Sequence, residues 1–104
     1  MINGHAPQEI LTAAIIQHFE FCFELAWKTL QHFASEQAQE VRGPRDAFAA
    51  GVVLGIIQDD EVWRSILSDR HLTVHTYNEA LASAITQRIT TRYLAAFKGL
   101  AAKV

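Results

Sequence analysis

From Gln8 to Glu36 the chain can hide its apolar side chains only as a helix, and little of that helix is polar. Gln17, Glu20, Glu24, Lys28, Gln31 and Ser35 recur at intervals of three and four. That spacing puts them on one stripe of a 3.6-residue repeat. Glu24 and Lys28, four apart, can pair. Most of the remainder is apolar: Ile15, Ile16, Phe19, Phe21, Cys22, Phe23, Leu25, Ala26, Trp27, Leu30 and Phe33. An apolar surface this wide has to be covered from more than one side. A 104-residue chain has few helices with which to cover it, so we expect a homodimer. Burial wholly within one monomer is the alternative.

The other segments are shorter. Gln37 to Gly43 is polar and reads as a loop. Pro44 then marks a helix start, because proline fits the first helical position. The helix 44–54 presents Ala47, Phe48, Gly51, Val52 and Leu54, and should stop at Gly55 in the left-handed conformation. Gly51 suggests either close approach of a neighbouring helix or a simple helix weakener. Asp59, Asp60 and Glu61 stand where a helix N-terminus favours acids, ahead of a short helix with Trp63, Ile66 and Leu67. Leu81, Ala84, Ile85, Ile89, Tyr93 and Phe97 form the stripe of a last helix ending near Gly99. The expected fold is all-α, a bundle of three main helices and one short one. It forms a single domain over residues 1–104, with 1–7 a loose terminus.

Composition excludes some classes. Half the residues are hydrophobic, so the chain is not disordered as a whole. A net charge of −2 gives no global field for nucleic acid. Arg88, Arg92, Lys98 and Lys103 follow the last acid, Glu79. They suit a helix C-terminus or, alternatively, a phosphate-binding stripe. The single cysteine, Cys22, precludes an internal disulfide and, among apolar neighbours, reads as an inert thiol. No uninterrupted apolar run reaches about 18 residues and the start lacks a signal pattern. We therefore expect a soluble, cytoplasmic protein with no membrane association and no cofactor.

Chemistry gathers in residues 68–79, Ser-Asp-Arg-His-Leu-Thr-Val-His-Thr-Tyr-Asn-Glu. Arg70 has a planar donor fork suited to phosphate. His75 exchanges a proton near neutral pH. Five residues apart, they would diverge by about 140° on one unbroken helix, so they converge only if the chain turns between them. Thr76-x-x-Glu79 supplies a turn as a capping box, with Thr76 the N-cap and Tyr77 the first helical residue. The expected geometry is helix end, turn, helix start. Arg70, His71, Thr73, His75, Thr76 and Tyr77 would meet at that corner, with the Tyr77 ring outward and its hydroxyl near Arg70 and His75. His71 and His75, four apart, have a metal-binding spacing, but no further ligand completes a set, so no metal site is expected. On the residues alone, a capping and hydrogen-bonding corner is favoured over a functional one for this stretch.

Arg70, four intervening residues, His75, one residue and Tyr77 resemble the arginine-x4-histidine-x-tyrosine signature of the HEPN superfamily. Ile16-Gln17-His18-Phe19-Glu20 and Phe23-Glu24-Leu25-Ala26-Trp27-Lys28 resemble a helix of one subgroup, the nucleotidyltransferase substrate-binding proteins, or HepT-type toxins. Pro44-Arg45, Gly55, Ile57, Asp59 and Trp63 follow in that subgroup's order. The resemblance covers roughly residues 12–98. Ala49, Ala50 and Val52 depart from it, standing where members commonly carry charged residues and a phenylalanine. Only about eleven residues precede the matched helix, so the subgroup's leading helix is expected to be missing, which again favours dimerisation.

The resemblance implies a HEPN-like bundle and two functional readings. In one, the protein is a metal-independent ribonuclease toxin. His75 would transfer protons and Arg70 would hold phosphate. The toxin would be silenced when a minimal nucleotidyltransferase attaches AMP to Tyr77. In the other, it is a non-catalytic, nucleotide-binding subunit of that nucleotidyltransferase. RNA or a nucleotide is the implied ligand.

Overall fold

The computed structural model describes residues 7–104. Helix α1 spans Pro7–Glu36, α2 Pro44–Val53 and α3 Asp60–Leu72. A 3-10 turn, Thr73–His75, continues α3. Helix α4, Glu79–Arg88, runs through a π turn, Ile89–Tyr93, into α5, Leu94–Lys103. The described residues thus form an all-α bundle of four helices, the last being α4, the π turn and α5 end to end. The expected short helix is α3, and at 13 residues it is longer than the 10 of α2. Of the expected loose terminus, residues 1–6 lie outside the described part, while Pro7 already belongs to α1. Proline lacks only an amide that a first turn leaves unbonded anyway.

Helix α1 is the spine. At about 1.5 Å per residue its 30 residues give about 45 Å, most of the 53 Å long axis of the molecule. Ile16, Phe19, Phe23, Ala26, Leu30 and Ala34 form its buried edge. Phe19 lies 5.6 Å from the Tyr93 ring and 6.1 Å from Phe97. Phe23 meets Phe48 edge-on at 5.6 Å, and Phe48 meets Trp63 at 5.0 Å. Aromatic pairs at such distances add to the burial energy, and here they join α1, α2, α3 and the C-terminal helix in one chain of rings.

The polar stripe of α1 faces inward more than a solvent stripe would. Glu20 and Gln31 are only half-exposed, and Gln31 Nε2 donates to the Val41 carbonyl at 2.9 Å. Glu24 accepts from Trp27 Nε1 at 3.1 Å, with Lys28 3.8 Å away. Meanwhile Phe21 is 60% exposed and Leu25 52%. By length and composition α1 could also cross a membrane. In the bundle, however, it contributes the buried edge just described.

Helix α2 ends as its sequence implies. Gly55 has φ +77°, and Ile56 N–H closes back to the Gly51 carbonyl at 2.9 Å. A Cβ on Gly51 would come within 2.8 Å of Ile57 Cδ1 and 3.3 Å of Leu30 Cδ2. Close approach is therefore why glycine stands there, and it lets the α2–α3 connection fold against α1.

Candidate functional site

The corner at the end of α3 forms, but with different capping. Asn78, not Thr76, caps α4: its Oδ1 accepts from Leu81 N–H at 3.0 Å. Thr76 instead donates to the Thr73 carbonyl at 3.1 Å, closing the 3-10 turn. Glu79 becomes the first residue of α4, so no capping box forms, and Tyr77 precedes the helix. The signal for a helix start is real, but two acceptable caps lie two residues apart. Asparagine is at least as good a cap as threonine.

The polar residues divide into two groups. At the tip, His75 Nδ1 lies 3.3 Å from the Tyr77 hydroxyl, and the rings meet edge-on at 5.9 Å. Both side chains are exposed, Tyr77 to 82%. His71 is exposed as well, on the last turn of α3. Beneath the tip, Arg70 turns back to α1. Its Nη1 is 3.8 Å from Glu20 Oε2, and its guanidinium carbon lies 5.6 Å from the Phe23 ring centre. Thr73 is buried and donates to Glu20 at 2.9 Å, sharing its hydroxyl with the Arg70 carbonyl at 2.8 Å. Tyr77 therefore stands beside His75 as expected. It is not in hydrogen-bond contact with Arg70, whose side-chain contacts run to α1.

Two features escape the sequence reading. One is Glu20, which the periodicity assigns only to the polar stripe of α1. The other is a buried carboxylate next to Arg70. Asp69 is 3% exposed and accepts from Arg88 Nε at 2.6 Å, Arg88 Nη2 at 2.8 Å and the Tyr93 hydroxyl at 2.5 Å. Ser65 adds a 2.5 Å contact to the same hydroxyl. The π turn has its reason here. Arg88 and Tyr93 are five apart and would diverge by about 140° on an α-helix, whereas i to i+5 bonding brings residues five apart toward one face. Asp69 holds the Arg88 guanidinium above its ordinary pKa, and burial together with Asp69 raises that of Tyr93. Arg88 is thus committed to the core and belongs to no basic stripe. Lys103 reaches back to the Ile56 carbonyl at 3.1 Å.

No three His, Cys, Asp or Glu residues gather as a metal site among the described residues. A cleft of about 400 Å³ lies near the start of α3, lined by Trp63, Arg92, Gly99, Leu100 and Lys103 among others. Cys22 is half-buried, and burial raises its thiol pKa, which disfavours the reactive thiolate.

Known proteins share this fold and about a third of this sequence. Residues 2–104 match the family described as nucleotidyltransferase substrate binding protein like. The chain belongs to this family. A protein of Haemophilus influenzae named "Probable ribonuclease HepT" is 30% identical over 87 residues, 79% of this chain and 60% of its own length. The chain thus spans about three-fifths of the curated relative. A crystal structure from Thermus thermophilus superposes with a TM-score of 0.82 at 33% identity, covering 98% of this chain and 86% of that one. The HEPN-like, HepT-like resemblance and the all-α bundle both stand with these matches.

Proposed function

We propose that the protein is the HEPN-type toxin partner of a minimal nucleotidyltransferase, acting as a metal-independent endoribonuclease. The observation that carries this reading is the exposed His75–Tyr77 pair, with Arg70 on the preceding turn, in a chain related to a named ribonuclease. In this reading the ribose 2′-oxygen attacks the adjacent phosphorus as a base removes its proton. The 5′-oxygen leaves as an acid protonates it. In this reading His75 exchanges one of these protons, and Arg70 offers fixed positive charge to the crowded phosphate oxygens.

One histidine cannot hold both roles at the same moment. A homodimer brings a second corner, and α1 offers a surface for it. Leu11, Ala14, His18, Phe21 and Leu25 are all exposed and alternate at three and four residues, the spacing of a helix-pairing seam. In this reading the two corners face one another across the two-fold axis, although Glu20, the α1 residue nearest Arg70, is turned about 140° from the middle of that seam. Arg70, His75 and Tyr77, supported by His71, Thr73 and Thr76, would then form the working site in the cytoplasm.

The exposed Tyr77 hydroxyl is the proposed acceptor of AMP. It would attack the α-phosphorus of a nucleoside triphosphate bound by the nucleotidyltransferase, with pyrophosphate leaving and the phenolic proton passing to a base. The added phosphate would cover His75 and block substrate. Peptide mass spectrometry after co-expression with the cognate nucleotidyltransferase tests this, with AMP expected on Tyr77 and cleavage of RNA lost in step. Neutralisation without modification of Tyr77 overturns it.

A second reading, a non-catalytic nucleotide-binding subunit, is favoured by the net charge of −2. It predicts nucleotide binding at the corner with no RNA cleavage by the purified, unmodified protein.

A further inference from the structure

Arg70 is held in an unusual way. Its Nη1 stands 3.8 Å from Glu20, a charge contact longer than a hydrogen bond. Its Nε is buried without any acceptor. A second contact comes from one turn along α1, where the Phe23 ring centre lies 5.6 Å from the guanidinium carbon. Glu20 meanwhile has a second tie, the 2.9 Å bond from Thr73. Buried guanidinium donors are normally satisfied, and a planar fork normally grips a carboxylate in two parallel hydrogen bonds. Here the carboxylate is near enough to attract and too far to occupy the fork.

We propose that Glu20 is an internal counter-anion competing with phosphate for Arg70, and so sets the anion affinity of the site. This rests on the reading of Arg70 as the phosphate-binding residue. A phosphate at the corner would take hydrogen bonds from the fork and displace Arg70 from the Glu20 contact, while Thr73 continues to hold Glu20. The site would then bind anions weakly because of its own carboxylate, in keeping with a chain of net charge −2. It would select ligands whose phosphate reaches the fork over those that merely carry negative charge.

The test is a double-mutant cycle on the full chain with a 2′-O-methyl oligoribonucleotide, which cannot be cleaved by 2′-oxygen attack. Glu20→Gln keeps the size of the side chain and an oxygen for Thr73, so circular dichroism and melting should match the parent. It is expected to tighten binding about fivefold, the equilibrium factor of one partly exposed charge contact. In an Arg70→Ala background the same substitution should change binding little. Weaker binding on Glu20→Gln, or equal tightening with and without Arg70, overturns the proposal. The first would make Glu20 an anchor, the second a mere reduction of negative charge. Inorganic phosphate followed by NMR at the Arg70 side chain separates this from the ribonuclease reading. If RNA does not bind, Glu20→Gln should still strengthen the phosphate-dependent shift of Arg70 Nε, and its failure to do so sinks the inference on its own.

Discussion

His75 and Arg70 share a corner but not an environment. His75 is exposed with one polar neighbour, Tyr77, so His75→Ala should leave stability within about 0.5 kcal/mol. Arg70 contributes a loose ion pair and a contact with Phe23. Its replacement by alanine should lower stability by about 1 kcal/mol. Both substitutions are expected to reduce RNA cleavage by about 100-fold or more, measured on purified protein whose circular dichroism matches the parent. Full cleavage by His75→Ala would return the corner to a purely structural role. The residue types and their spacing were visible in the sequence. The split of the corner into an outer His75–Tyr77 pair and an inner Arg70–Thr73–Glu20 group was not, because Glu20 is 50 residues from Arg70 and reaches it only when α1 packs on α3.

At the scale of elements, Asp69 locks the end of α3 to the π turn. Asp69→Ala would leave Arg88 partly buried without its carboxylate. Since a third of Arg88 remains in water, the expected loss is about 2–3 kcal/mol, at or below the lower end for a broken buried pair, read by denaturant unfolding. Tyr93 adds a pH dependence. Its pKa is raised in the folded protein, so on alkaline titration the unfolded chain loses this proton first. The stability it contributes is complete below about pH 10, the ordinary tyrosine value, and declines as pH rises toward the folded value. Tyr93→Phe should flatten that alkaline decline in melting experiments. A decline of the same steepness in the variant would assign it to other groups.

The whole molecule is slender, with a radius of gyration of 15.1 Å against about 13 Å for a compact chain of this length. A slender bundle leaves more of its spine uncovered, and the seam from Leu11 to Leu25 lies on that spine. The parent is expected to sediment as a dimer at micromolar concentration, and Phe21→Glu combined with Leu25→Glu as a folded monomer. A monomeric parent would sink the dimer, and with it the second histidine on which the two-proton mechanism depends.

The sequence by itself determined the helices. Helical periodicity, Pro44 and the left-handed Gly55 are local signals, and they located α1 and α2 to within a residue, whereas the last helix starts two residues later than expected and runs to Lys103, four past Gly99. Local chemistry also announced the corner, though it could not choose between Thr76 and Asn78 as the cap. The tertiary structure decided which side of α1 stays uncovered, placing Phe21 and Leu25 in water and drawing Glu20 and Gln31 inward. It also decided the fate of the charges, sending Arg88 to Asp69 and Arg70 toward Glu20. The physical reason is range. Capping and periodicity act within a turn or two of helix, whereas a buried carboxylate finds its cation through packing between helices, which no spacing along the chain records.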